Sequence, residues 1–162
     1  MRILLGRFHK SAGRDFEETV ERMVAQAPNT KVRRNVKKVG SLRPPGDIDV
    51  IAVNTIKRQI TVVECKDFSL ARTPAEITYH VEQLLKSTPT KPSSGEKVTR
   101  RIAWVKQHRD ELLEWFDIEC TGKWRVNGIL VMNRASLAPL LKPFPVPVVS
   151  LLELRTNVSK WV

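Results

Sequence analysis

Three charged residues stand inside or at the end of two apolar segments, GDIDVIAVN over residues 46–54 and QITVVECK over residues 59–66: Asp49, Glu64 and Lys66. A charge within such a segment is costly to bury unless it is paired or bound to a metal. Two carboxylates and an amine form the set that phosphodiester hydrolysis calls for. The carboxylates of Asp49 and Glu64 can hold a hard cation such as Mg²⁺, with Mn²⁺ as a substitute, while water completes the shell. Such a cation polarises a phosphate and makes bound water more acidic. Lys66 beside it can orient that water or stabilise the charge that develops. The backbone carbonyl of Cys65, between Glu64 and Lys66, offers one more oxygen ligand. Asp47 shares a strand face with Asp49, so either can serve as the first acid. Asp49 is preferred because it lies within the apolar strand, whereas Asp47 can be solvated at its mouth. The plainer alternative is a structural ion pair between Glu64 and Lys66; the third charge argues against it.

The chemistry requires elements that bring these residues together. Residues 48–53 alternate and are β-branched, so they read as a strand. The polar stretch NTIKRQ turns the chain into a second strand over residues 59–66. Side chains two apart on a strand share a face, so Glu64 and Lys66 point the same way. The hairpin then places Asp49 near Glu64 at one end of the sheet. Cys65 faces the opposite, apolar side and reads as a core residue, not a nucleophile. Upstream, residues 14–27 form a helix with Phe16, Val20, Met23, Val24 and Ala27 in one stripe. Residues 30–40 hold a further strand with poor alternation. Downstream, Thr73, Pro74 and Glu76 form a capping box with proline at the first helical position. That helix runs to about Lys86. The Pro/Ser/Gly/Lys run 88–97 reads as a mobile loop, and residues 99–116 as one helix. A strand follows in WRVNGILVMN, and PVPVVSLLEL holds another that passes into a terminal helix. The element order implies an α/β domain with a mixed sheet between helices.

GDIDV followed by VVECK resembles the PD-(D/E)XK nuclease superfamily, the restriction-endonuclease-like fold, and within it the Mrr-like and archaeal Holliday-junction-resolvase-like members. The resemblance covers about residues 13–86; the C-terminal half matches in element order alone. It implies an αβββαβ core with a mixed central sheet flanked by helices, and a Mg²⁺-dependent endonuclease acting on DNA in restriction and defence or in repair and recombination. The family's aspartate falls on Asp49, its second acid on Glu64 and its lysine on Lys66. The literal Pro-Asp pair is absent, since Asp47 follows Gly46. GRDFEETV resembles the first-helix element that carries a further glutamate, which falls on Glu17. Glu17 borders the apolar stripe while Glu18 lies opposite it, so Glu17 can look along the sheet toward the metal; it reads equally as an exposed acid. Gln83 matches by position a glutamine that some relatives carry, and reads also as an ordinary surface residue.

The chain has 162 residues, the size of one domain, and 28 Lys and Arg against 17 Asp and Glu give +11. A charge that large favours a polyanionic partner, here DNA, over a merely solvated surface. The basic stretches 33–38 and 98–109 are candidates for phosphate contact. Trp104, Trp115, Trp124 and Trp161 could stack on bases but read better as packing residues. Two cysteines make no disulfide framework and fit a reducing compartment. His9, His80 and His108 have no zinc-ligand spacing. The start MRILLGRFHK is too short an apolar run for a signal peptide, and no run approaches membrane-spanning length. The expectation is a cytoplasmic protein without a membrane partner. Cutting both strands calls for two active sites, which would suit a homodimer, and the chain would also suit a catalytic domain of a larger protein. Two rivals stand beside the nuclease: a catalytically silent domain of the same fold that binds DNA or protein, and a basic RNA-binding module. The second lacks any RNA-recognition aromatic motif.

Overall fold

The structure is a computed structural model that describes residues 2–68, 73–134 and 143–162, with side chains from residue 13 onward. It is a mixed α/β arrangement: a five-stranded sheet flanked by helices. Helix α1 spans Arg2–Val24 and strand β1 Thr30–Val36; β2 spans Ile48–Asn54 and β3 Gln59–Lys66. Helices α2 (Pro74–Leu85), α3 (Ser94–Gln107) and α4 (Arg109–Trp115) follow, then β4 (Arg125–Met132) and β5 (Val148–Ser150). Two short helices, α5 (Leu151–Thr156) and α6 (Val158–Trp161), close the described chain.

The strands lie in the order β1-β2-β3-β4-β5. β1, β2 and β3 form an antiparallel meander, and β4 and β5 run parallel to β3. The switch from antiparallel to parallel after β3 follows from the helical crossover α2–α3–α4, because a parallel neighbour cannot be reached by a tight turn. β2 and β3 are buried on both faces, which is why their apolar runs are nearly continuous. On one face Phe16, Val20 and Val24 of α1 pack with Val50, Ala52, Val63 and Cys65. On the other, Val98 and Val105 of α3 pack with Ile51, Val53, Ile60, Val62, Leu130 and Met132. Gly128 lets α3 come close to the sheet. A Cβ there would lie 2.6 Å from the Ile102 Cδ1 and 3.1 Å from the Val62 carbonyl oxygen.

The Thr73 capping box forms as its sequence implies, with Thr73 Oγ1 accepting from the Glu76 N–H and the Glu76 carboxylate accepting from the Thr73 N–H. Three expectations need correction. α1 begins at Arg2 and ends at Val24, earlier at both ends than residues 14–27. The segment 88–97 is not all loop: α3 begins at Ser94, capped by Ser93, whose Oγ accepts from the Glu96 N–H at 3.1 Å. The Ser-x-x-Glu signature lies inside a run whose Pro, Ser and Gly content reads as coil, and Gly95 packs so closely that a Cβ there would lie 3.2–3.4 Å from Pro145 and Phe144. The single helix over 99–116 is two, divided at His108, whose φ of −111° and ψ of 33° leave the helical range. Trp104, Trp115, Trp124 and Trp161 are all half-buried against the two cores, as packing residues. Among the described residues, no helix is long and apolar enough to cross a membrane.

Candidate functional site

The β2–β3 hairpin and α3 together build one charged cluster. The last paired rung of β2 and β3 joins Val50 to Val63. One step further, Asp49 stands beside Glu64. The ladder ends there, and the Asp49 carboxylate takes over as acceptor: its Oδ2 receives the Cys65 N–H at 2.8 Å. Glu64 is almost wholly buried, with 2% of its side chain exposed. Lys66, on the same strand face, brings its Nζ to 3.0 Å from the Glu64 Oε1. Cys65 points the other way, into the core against α1, and burial pushes its thiol well above the usual range. Its side chain is therefore a packing group.

The second cation of the cluster is Arg101, which the sequence reading placed among surface phosphate contacts. Its side chain is only 9% exposed; its Nη1 donates to the Glu64 Oε2 and lies 3.7 Å from the Asp49 Oδ1. The basic stretch 98–109 is thus divided in role. Arg100 is exposed and paired with Glu96, one helical turn away, while Arg101 is turned inward. A signal for this existed. Ser94, Val98, Arg101 and Val105 are four of the five buried residues of α3, at i, i+4, i+7 and i+11, with Gly95 beside them, so Arg101 sits in a buried stripe. Starting the helix at residue 99 hid that stripe.

Burial governs the electrostatics. The Asp49 carboxyl is pushed up to about 7, first by burial and then by the neighbouring charge of Glu64; the Cys65 N–H, Arg101 and Lys66 pull it down without prevailing. Glu17, half-buried on α1, is also raised, chiefly by burial. It feels the charges of Glu64 and Lys66, so it lies within electrostatic reach of the cluster, although no hydrogen bond or ion pair joins it to them. Glu18, by contrast, faces outward toward Arg34 at 3.9 Å. Lys97, on α3 one turn before Arg101, is half-buried and lowered by burial and by the like charge of Lys66. Sequence reasoning did not single out Lys97.

The remaining candidates fall outside this cluster. Gln83 on α2 has its Oε1 accepting from the Lys91 Nζ at 2.8 Å, and no hydrogen bond joins it to Asp49, Glu64 or Lys66. Asp47 is exposed, with 58% of its side chain open, and stands 3.9 Å from the Lys37 Nζ at the mouth of the hairpin. Of the two aspartates, Asp49 is the one that meets Glu64.

Asp49 and Glu64 are the residues that could hold a hard divalent cation. Their two carboxylates converge on one positive group, the Arg101 guanidinium. Among the described residues no cluster of three or more His, Cys, Asp or Glu side chains could hold a metal. Side-chain ligands would therefore number two, with the Cys65 carbonyl, water and substrate oxygens supplying the rest. Mg²⁺ is commonly held in this way, through one or two carboxylates plus substrate phosphates. Lys66, Lys97 and Arg101 gather on the cationic side of the cluster.

Comparison with known proteins adds a family to this geometry. Among solved structures, protein VC1899 from Vibrio cholerae aligns with 90% of this chain at 15% identity, with a TM-score of 0.42. This chain spans about a third of its length, 32%. No curated protein matches the sequence. A family described as "Upx-like: Anti-phage protein Upx-like" matches residues 5–136, a stretch that contains most of α1, the β2–β3 hairpin, α3 and every residue of the charged cluster. The chain belongs to the Upx-like family of anti-phage proteins.

Proposed function

We propose that this chain is a metal-dependent DNA endonuclease of the PD-(D/E)XK class that acts in defence against phage. The observation that carries the reading is the convergence of Asp49, Glu64 and Lys66 at one end of the β2–β3 hairpin. In this reading Asp49 and Glu64, with the Cys65 carbonyl, hold Mg²⁺ or Mn²⁺. When bound, the cation neutralises the scissile phosphate and acidifies a water. Lys66 orients the attacking water or stabilises charge on the phosphate. Glu17 stands close enough to tune the field of the pair, and Gln83 is at most an outer support, since Lys91 already engages it. Family membership favours defence over repair or recombination as the setting.

A second reading rests on Arg101. Its guanidinium already neutralises both acids, as it would in a silent nuclease fold that binds DNA or protein. Incubation with linear, circular and branched DNA, with and without Mg²⁺, separates the two. Metal-dependent cleavage is expected, lost in Asp49→Asn and in Glu64→Gln, each of which keeps size and removes the charge that holds the cation. Lys66→Ala should lose cleavage while still binding Mn²⁺ in calorimetric titration. Cleavage that persists in a folded Asp49→Asn protein would overturn the assignment, and no cleavage of any substrate by the wild type would favour the silent module.

A further inference from the structure

The guanidinium of Arg101 stands between Asp49 and Glu64, the two acids that would hold a metal. Nη1 meets both carboxylates, donating to the Glu64 Oε2 and standing 3.7 Å from the Asp49 Oδ1. The other Glu64 oxygen is taken by Lys66 and the other Asp49 oxygen by the Cys65 N–H. All four carboxylate oxygens thus face a positive or donor group. The guanidinium is nonetheless imperfectly satisfied: its Nε is buried and, among the described residues, has no hydrogen-bond partner. An orphaned buried donor of this kind carries a desolvation penalty. Arg101 is therefore held by its two acids at some cost, in a place that a divalent cation would contest.

We infer that Arg101 is a positioning residue that gates metal loading: it occupies the position between Asp49 and Glu64 as a resident cation, and a divalent metal binds only when the guanidinium withdraws. This rests on the nuclease reading above. A guanidinium and a divalent cation cannot occupy the one position between two buried carboxylates without strong repulsion. Binding of one must displace the other. Arg101 keeps the two acids paired and together while metal is absent, which spares Glu64 an uncompensated buried charge. The same occupancy weakens the apparent metal affinity by the fraction of time the site stands open. A site built this way stays unloaded at low metal, and a phosphate that draws the guanidinium away would load it. Metal and nucleic acid would then bind cooperatively.

Calorimetric titration of Mn²⁺ into wild type, Arg101→Gln and Arg101→Lys, all without DNA, tests the inference. If the guanidinium is in place nine-tenths of the time, Arg101→Gln should bind Mn²⁺ about 10-fold more tightly than wild type. Arg101→Lys, which keeps the charge but loses the guanidinium whose Nη1 meets both acids, should gain a smaller factor and serves if the glutamine variant fails to fold. A phosphate-bearing oligonucleotide should tighten Mn²⁺ binding to wild type and do so far less in either variant. Affinities equal to or weaker than wild type in both folded variants would overturn the gate and leave the nuclease reading standing. Mn²⁺ binding by none of the three proteins, with or without oligonucleotide, would overturn both.

Discussion

Asp49 shows how burial decides a residue's behaviour. A carboxyl lifted to about 7 from an ordinary 3.8 stays protonated in the folded chain where it would ionise in the unfolded one. Between those limits the folded state holds more protons, so raising the pH works against folding. Asp49 should therefore lower stability progressively as pH rises from about 4 to about 7, and add no further change above that. Other acids act in the opposite sense: Glu153, hydrogen-bonded to the Ser150 N–H and hydroxyl, is lowered and favours folding as pH rises. The measurement must isolate Asp49. In EDTA, the Tm of Asp49→Asn minus that of wild type should grow across this window, because asparagine keeps the Cys65 contact and carries no titrating charge. A difference that stays constant from pH 4 to 8 would show that Asp49 does not titrate there. The same residue was legible from sequence, because alternation in β2 and β3 puts Asp49, Glu64 and Lys66 on one face regardless of what packs above. Arg101 was not. Its role depends on which face of α3 is buried, and that depends on a helix start concealed in a Pro/Ser/Gly run.

At the scale of elements, α3 is the part that completes the site, and its height above the sheet is set by Gly128. A side chain on that residue would meet Ile102 from above and the Val62 carbonyl from beside. Ile102 can swing its Cδ1 aside, but the carbonyl belongs to β3 and cannot move without disturbing the strand that holds Glu64. Gly128→Val should thus destabilise by about 1–3 kcal/mol, the usual result of overpacking, read as a lowered Tm. It should also loosen the Arg101 pairing, since α3 must rise, and so tighten Mn²⁺ binding while stability falls. A valine variant with unchanged Tm would mean that α3 packs less closely than the Gly128 contact requires. The hairpin and the α2 cap were readable in the sequence because their signals are local: period-two alternation, and a Thr-Pro-x-Glu box. The parallel arrangement of β3, β4 and β5, and the division of one amphipathic run into α3 and α4 at His108, arise from packing between distant segments. Single-strand patterns do not carry that information.

For the whole molecule, +11 is the property that composition alone makes plain. The fold shows that some of this charge is spent internally. Arg101 and Lys66 neutralise buried acids, Arg33 stacks on Trp115 at 4.0 Å from the ring centre, and Lys31 donates to the Phe116 and Asp117 carbonyls. Lys37 and Lys38 remain exposed and line a groove of about 450 Å³ with Arg34, Asn35 and Trp115; Lys37 also touches Asp47 at the mouth of the hairpin. A DNA backbone led into the site along this edge would meet these lysines first. Affinity for duplex DNA should therefore fall with salt by roughly 0.9 log units per log unit for each phosphate neutralised. Reversing Lys37 and Lys38 to glutamate should weaken binding and flatten that slope, whereas reversing Arg101 would test folding, not phosphate contact. Asp49→Asn removes negative charge beside the site, so it should bind at least as tightly as wild type while failing to cut. Fluorescence anisotropy of labelled duplex and branched DNA with Asp49→Asn, across a salt series, makes the comparison without cleavage. A slope unchanged by the Lys37 and Lys38 reversals would move the DNA path to another edge of the sheet. Affinity independent of salt, or absent at low salt, would leave the surplus charge unexplained by nucleic acid and point to an acidic protein partner instead.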